Sequence, residues 1–139
     1  MQQFSMTQIA LLCFVAIFVF LVIQILVFRS VLTLGKIKEI NCFSPQGDDY
    51  TPYYHRLTRA HANMYENTPI WLGILGFAII VGKESVTNGF ALYFFGARLG
   101  QVGVHLWSVA PWAIYVRFVC FTTQVLIASY WLYELLSDV

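Results

Sequence analysis

Charge is scarce in this sequence. Only 11% of its 139 residues are Asp, Glu, Lys or Arg, whereas soluble domains carry about 25%, so an ordinary soluble domain is excluded. The formal net charge of +1 offers no global field for nucleic acid. Cysteine is thin as well. Cys13, Cys42 and Cys120 stand far apart, with no C-x-x-C and no histidine-rich spacing, so neither a disulfide framework nor a metal site is expected. Basic residues are missing from the N-terminus: nothing positive precedes Arg29. The apolar run from Ile9 to Phe28 also exceeds the roughly 7–15 residues of a signal-peptide core, so a retained anchor is expected. Internal repeats and low-complexity tracts are absent too.

What fills the chain instead is apolar: 59% hydrophobic residues and a mean hydropathy of +0.69. A helix crosses about 30 Å of hydrocarbon with roughly 20 apolar residues. The pattern predicts one domain over residues 1–139, an all-α integral membrane four-helix bundle with spans at 8–34, 54–82, 89–107 and 112–136. The second span is unusual. Its purely apolar part, Ile70 to Val81, is too short to cross at about 1.5 Å per residue, so the helix must extend back through "HRLTRAHANMYENT". A loop punctuated by Pro45, Gly47 and Pro52 precedes it, and "KESVTN" and "SVAP" read as short connections. Arg29, Lys36, Lys38 and Arg56 flank the first loop and Arg117 follows the third, whereas Lys83 alone serves the other side. The positive-inside bias therefore predicts a cytoplasmic first loop and outside termini.

Helical spacing groups the polar residues. Arg59, Asn63 and Glu66 fall within roughly 60° of one another, with Arg56 one turn earlier and His61 pointing almost the other way. In the third span Gln101 and His105 share the face of Arg98, while Gly96, Gly100 and Gly103 occupy the opposite face and are expected to pack closely. In the fourth, Gln124 follows Arg117 by one face-repeat. An intramembrane arginine costs about 2.5–3.5 kcal/mol unless it is paired, and Glu66 is the acid expected beside Arg98. Lys38, Arg56, Arg59, Arg98 and Arg117 still outnumber that one acid, and such a surplus suits an anion.

These residues carry a resemblance. "RAHANMYEN" with Pro69 close behind resembles the second-helix signature of the MAPEG family, the membrane-associated proteins in eicosanoid and glutathione metabolism. "YFFGARLGQVGVH", "YVRFVCF" and "TLGKIKE" are similar, in order, to segments of its third, fourth and first helices. The resemblance implies a homotrimer in a bacterial plasma membrane or the endoplasmic reticulum, with glutathione as co-substrate between subunits. It implies glutathione contacts from Arg59, Asn63 and Glu66, helped by Lys38, Arg98 and the His105 position, and a thiolate held by Arg117 for attack on a hydrophobic electrophile. The chain departs from the family's enzymes at His105, where they carry tyrosine, and at Gln101, where they carry His or Tyr. The alternative is a nonenzymatic relative whose basic cluster binds an anionic membrane lipid or is structural. Paired broken helices of a transporter are not expected, because only one helix carries a proline well inside it.

Overall fold

A computed structural model describes residues 3–137. Within them the chain forms four helices and no strand: α1 (Met6–Leu34), α2 (Pro52–Ile80), α3 (Glu84–Trp107) and α4 (Pro111–Ser137). Each start has a local cause. Ser5 caps α1 through a reciprocal box with Gln8. Thr51 caps α2 by accepting from the Tyr54 N–H, and Pro52 supplies the fixed φ of a first helical position. The third helix begins five residues before the expected position 89. Glu84 suits the positive end of the helix dipole, and Thr87 and Asn88 are drawn into hydrogen bonds with Thr7 at 2.6 and 2.8 Å. "KESVTN" is thus mostly helix, and the connection shrinks to residues 81–83.

The helices alternate in direction. The start of α1 meets the start of α3 at Thr7 and Thr87, and the end of α1 meets the start of α2 where Phe28 packs on Tyr53 and Tyr54. Helix α4 lies along α3 and touches α2 less extensively. Aromatic rings fill the middle: Phe14 stacks on Trp71 at 5.8 Å, Trp71 meets Phe94 at 4.5 Å, and Phe94 meets Trp131 at 4.8 Å. Burial follows helical spacing, as at Leu57, Met64, Trp71, Leu75 and Ala78 of α2.

The outside of the bundle is apolar. Helices α1 and α4 are long and apolar enough to cross a membrane. Only 11% of the most apolar α1 window is buried, so α1 is not the covered core helix of a soluble fold. Leu12, Phe20, Ile23 and Leu26 all face outward. Trp107, Trp112 and Tyr115 are likewise exposed near the α3–α4 connection, as interfacial residues are. The glycine face of α3 is not packed within the chain. A Cβ on Gly96 or Gly103 would meet nothing within 4 Å, and one on Gly100 would meet only Cys120 Sγ at 3.7 Å. The reason is phase: Arg98 and Gln101 occupy the buried side of α3, which turns the glycines outward.

The first loop folds back onto α2. Thr58 Oγ donates to the Gln46 carbonyl at 2.7 Å, and Gly47, at φ 68°, lies so close to Thr58 that a Cβ would collide with it. Lys38 forms an ion pair with Asp49, which also accepts from the Ser44 N–H at 2.8 Å. Those two bonds, Lys38 first, hold the Asp49 carboxyl below the usual carboxylate range.

Candidate functional site at the loop end of the bundle

Arg98 is wholly buried at the middle of α3. Its guanidinium lies 4.4 Å from the centre of the Trp71 ring, and Nη1 donates to Asn63 Oδ1 at 3.0 Å. Its Nε and Nη2 are buried without a protein partner among the described residues. The expected Arg98–Glu66 pair does not form within the described chain, because Glu66 is exposed. Helical phase explains this. The buried arc of α2 runs through Ala60, Met64, Trp71 and Ala78, and Asn63 borders it. Glu66 and Arg59 lie roughly 60° and 40° further round, facing away from α3. The resident partners of Arg98 are therefore an amide oxygen and an indole face.

Asn63 begins a row of amides across three helices. Its Oδ1 also accepts from Gln101 Nε2 at 3.3 Å, and Gln101 Oε1 accepts from Gln124 Nε2 at 2.9 Å. Gln124 Nε2 donates in addition to the Cys120 carbonyl at 2.9 Å. Gln101 and Gln124 are both buried, and the row pairs most of their polar atoms, leaving Gln124 Oε1 without a partner among the described residues.

Above the row lies an open groove of about 290 Å³, lined by Asn63, Gln101, His105, Ile114, Arg117, Phe118 and Phe121. One wall is polar and the other aromatic and aliphatic. Arg117 donates through Nε to the Ala113 carbonyl at 3.3 Å, and its terminal nitrogens have no protein partner among the described residues. Arg117 and His105 line the same groove. Among the described residues, no acid lines the groove. The arrangement offers hydrogen-bond donors and positive charge beside an apolar surface.

Of the residues singled out in the sequence, the fold brings Asn63, His105 and Arg117 to this groove, with Arg98 beneath Asn63. Arg59 is exposed one turn before Asn63, and Glu66 is exposed one turn after it. Lys38 belongs to the loop, held by Asp49 and 5.3 Å from the Phe43 ring centre. Arg56 donates to the Leu106 carbonyl at 2.8 Å and so satisfies the C-terminal end of α3, a structural task. His61 stacks on Phe18 of α1 at 5.1 Å, on the far side from the groove as its spacing implied. Trp71 escaped the sequence reading as a partner for Arg98. It stands eight residues after Asn63, about 80° round the helix, so spacing from Asn63 gave no signal for it. Ile114, Phe118 and Phe121 are recurrent apolar residues that spacing alone does not separate from lipid-facing ones.

Comparison with curated proteins and with solved structures yields no match. Residues 9–136, nearly the whole described chain, match the model of the MAPEG family. The four helices and the apolar exterior agree with that match. The chain belongs to the MAPEG family, and is a helical membrane protein of that glutathione- and eicosanoid-related group.

Proposed function

We propose that this protein is a glutathione-dependent transferase or peroxidase that acts on hydrophobic electrophiles dissolved in the bilayer. The observation that carries the reading is the two-sided groove: donors and cations from Asn63, His105 and Arg117 face Ile114, Phe118 and Phe121. Glutathione brings two carboxylates and a thiol to the first set, and an apolar electrophile suits the second. The thiol ionises beside Arg117, its proton leaving to water, and the sulfur electron pair attacks an electrophilic carbon while the bond to the leaving group breaks and that group departs with the electron pair. With a hydroperoxide the sulfur takes the outer oxygen, the O–O bond breaks, the alcohol leaves after protonation by water, and a second glutathione converts the sulfenic acid to the disulfide and water. A thiol of pKa about 8.5 is only about 3% ionised at pH 7. A nearby cation lowers such a pKa by about 1–3, and a value near 6.5 gives roughly three-quarters thiolate.

The working unit in this reading is a homotrimer with four spans per subunit, the first loop cytoplasmic, in a bacterial plasma membrane or the endoplasmic reticulum. At about 290 Å³ the groove lies at the small edge of the roughly 300–1,000 Å³ of ligand sites, consistent with a neighbouring subunit closing it. Arg59 and Glu66 are exposed on the same stripe as Asn63 and reach glutathione across that contact. Arg98 acts from beneath, through Asn63, and Lys38 guards the loop side.

A second reading rests on the same apolar wall: an anionic lipid headgroup sits by Arg117 and its chain lies on Phe118 and Phe121, with no chemistry. Calorimetric titration of glutathione into the purified protein separates the two. Saturable binding that Arg59→Ala weakens supports the enzyme. No glutathione binding, with saturable binding of a short-chain phosphatidylserine, supports the lipid site. Crosslinking in mild detergent tests the trimer, and a strictly monomeric protein that still binds glutathione contradicts the intersubunit site.

A further inference from the structure

The row of amides under the groove has a fixed sense. Arginine has donors and no acceptor, so Asn63 must turn Oδ1 toward Arg98. Gln101 must then offer Nε2 to that same oxygen, which leaves its Oε1 for Gln124 Nε2. The second hydrogen on Gln124 Nε2 is committed to the Cys120 carbonyl. Each amide in isolation has two nearly isosteric orientations. Linked to a buried arginine, all three are locked in one of them. Asn63 Nδ2 is left over, with no protein partner among the described residues, on a side chain that lines the groove.

We infer that Gln101 and Gln124 are positioning residues that, with Arg98 setting the sense, present the Asn63 amide nitrogen to the groove as a donor to a ligand carboxylate. This rests on the glutathione reading above. Neither glutamine needs to touch the ligand. Gln124 lies wholly buried on α4 and acts at two removes, through Gln101 and then Asn63. Without the row, Arg98 alone holds Asn63 Oδ1, through one hydrogen bond instead of two, and the amide nitrogen is presented less firmly to a carboxylate. The groove would thus keep its shape and its Arg117 charge while its hold on a carboxylate weakens.

The test is a double-mutant cycle on glutathione affinity, using the full chain in nanodiscs. Asn63→Ala should weaken binding roughly tenfold, the value of a hydrogen bond to a charged group. Gln124→Met, close in volume, should weaken it roughly threefold or more in the wild-type background and not at all in the Asn63→Ala background. Glutathione dimethyl ester should bind wild type and Gln124→Met alike. A purely structural role for Gln124 predicts additive losses and the same loss for the ester, and either result overturns the inference. Should Gln124→Met fail to fold, asparagine-selective 15N spectra of the wild type decide the matter. The Asn63 side-chain NH₂ signal must shift on adding glutathione, and an unmoved signal sinks the proposal. A wild type that binds no glutathione removes the parent reading and this inference together, whereas normal binding with additive mutants removes this inference alone.

Discussion

Arg98→Met and Trp71→Leu should behave in opposite ways to what burial alone suggests. Arg98 is wholly buried, with one hydrogen bond to Asn63 and the Trp71 ring at 4.4 Å. A charge-assisted hydrogen bond contributes about 1.5–3 kcal/mol, and a desolvated cation–π contact about 2 kcal/mol. Together they give roughly 3.5–5 kcal/mol, against about 2.5–3.5 kcal/mol for holding an arginine at membrane depth. The two nearly cancel. Arg98→Met removes both sides of that balance and should cost only about 0–2.5 kcal/mol. Trp71→Leu leaves the charge in place, removes its ring and opens a space beside Phe14 and Phe94, so it should cost about 3–5 kcal/mol. The double variant should be less destabilised than the sum of the singles by about 2 kcal/mol, the shared contact being counted once. The assay is reversible unfolding of the purified protein in mixed micelles, followed by helical circular dichroism. A loss above about 4 kcal/mol for Arg98→Met would refute the balance, since it would require a strong acidic partner that Asn63 and Trp71 do not provide.

Three further outcomes are expected. Arg59→Ala and Glu66→Ala should each weaken glutathione binding with little change in stability, because both side chains are exposed in the single chain; unchanged affinity in both would exclude this stripe from the site. Arg117→Ala should slow turnover at pH 7 more than it weakens binding and recover rate as pH rises, with Arg117→Lys intermediate; a rate deficit constant across pH contradicts the thiolate role. Asp49→Asn should loosen the first loop and speed tryptic cleavage after Lys38. The same loosening should appear in the native protein at acid pH. The Asp49 carboxyl is held low in the folded chain, so its contribution is present above the ordinary carboxylate value and disappears as pH falls through the lowered one. Cleavage unaffected by the variant would show that Thr58 and Gly47 hold the loop alone.

Hydrophobic length and helical spacing carried most of the fold. They located all four helices, because continuous apolar runs leave few alternatives, although Pro52, read as loop punctuation, is the first residue of α2. They failed at the start of α3, where polar "KESVTN" looks like a connection until Thr7 is seen to hydrogen-bond Thr87 and Asn88. Spacing also put Arg59, Asn63 and Glu66 on one stripe correctly, yet could not say which edge of it meets α3. A rotation of about 60° separates Asn63 from Glu66, and that rotation decides whether Arg98 finds an amide or an acid. Interhelical phase depends on how Trp71, Phe94 and Phe14 interlock, which no single helix encodes. The face of Gly96 and Gly103 was identified, but spacing does not say what it meets, and within the described chain a Cβ at either position meets nothing. Lys38 was separated from the other cations by Asp49, a loop residue whose approach rests on the tight turn at Gly47.

The proposed role of Arg117 as holder of the glutathione thiolate is tested most directly by the ultraviolet thiolate absorbance of glutathione bound to the wild-type protein, recorded against pH. Arg117 lines the groove with its terminal nitrogens unclaimed by protein among the described residues. The bound thiol should therefore ionise at a pH roughly 1–3 below that of free glutathione, and the displacement should vanish in Arg117→Ala. Saturating glutathione whose thiol ionises as it does in free solution would contradict the catalytic role and leave a binding protein on the family's fold.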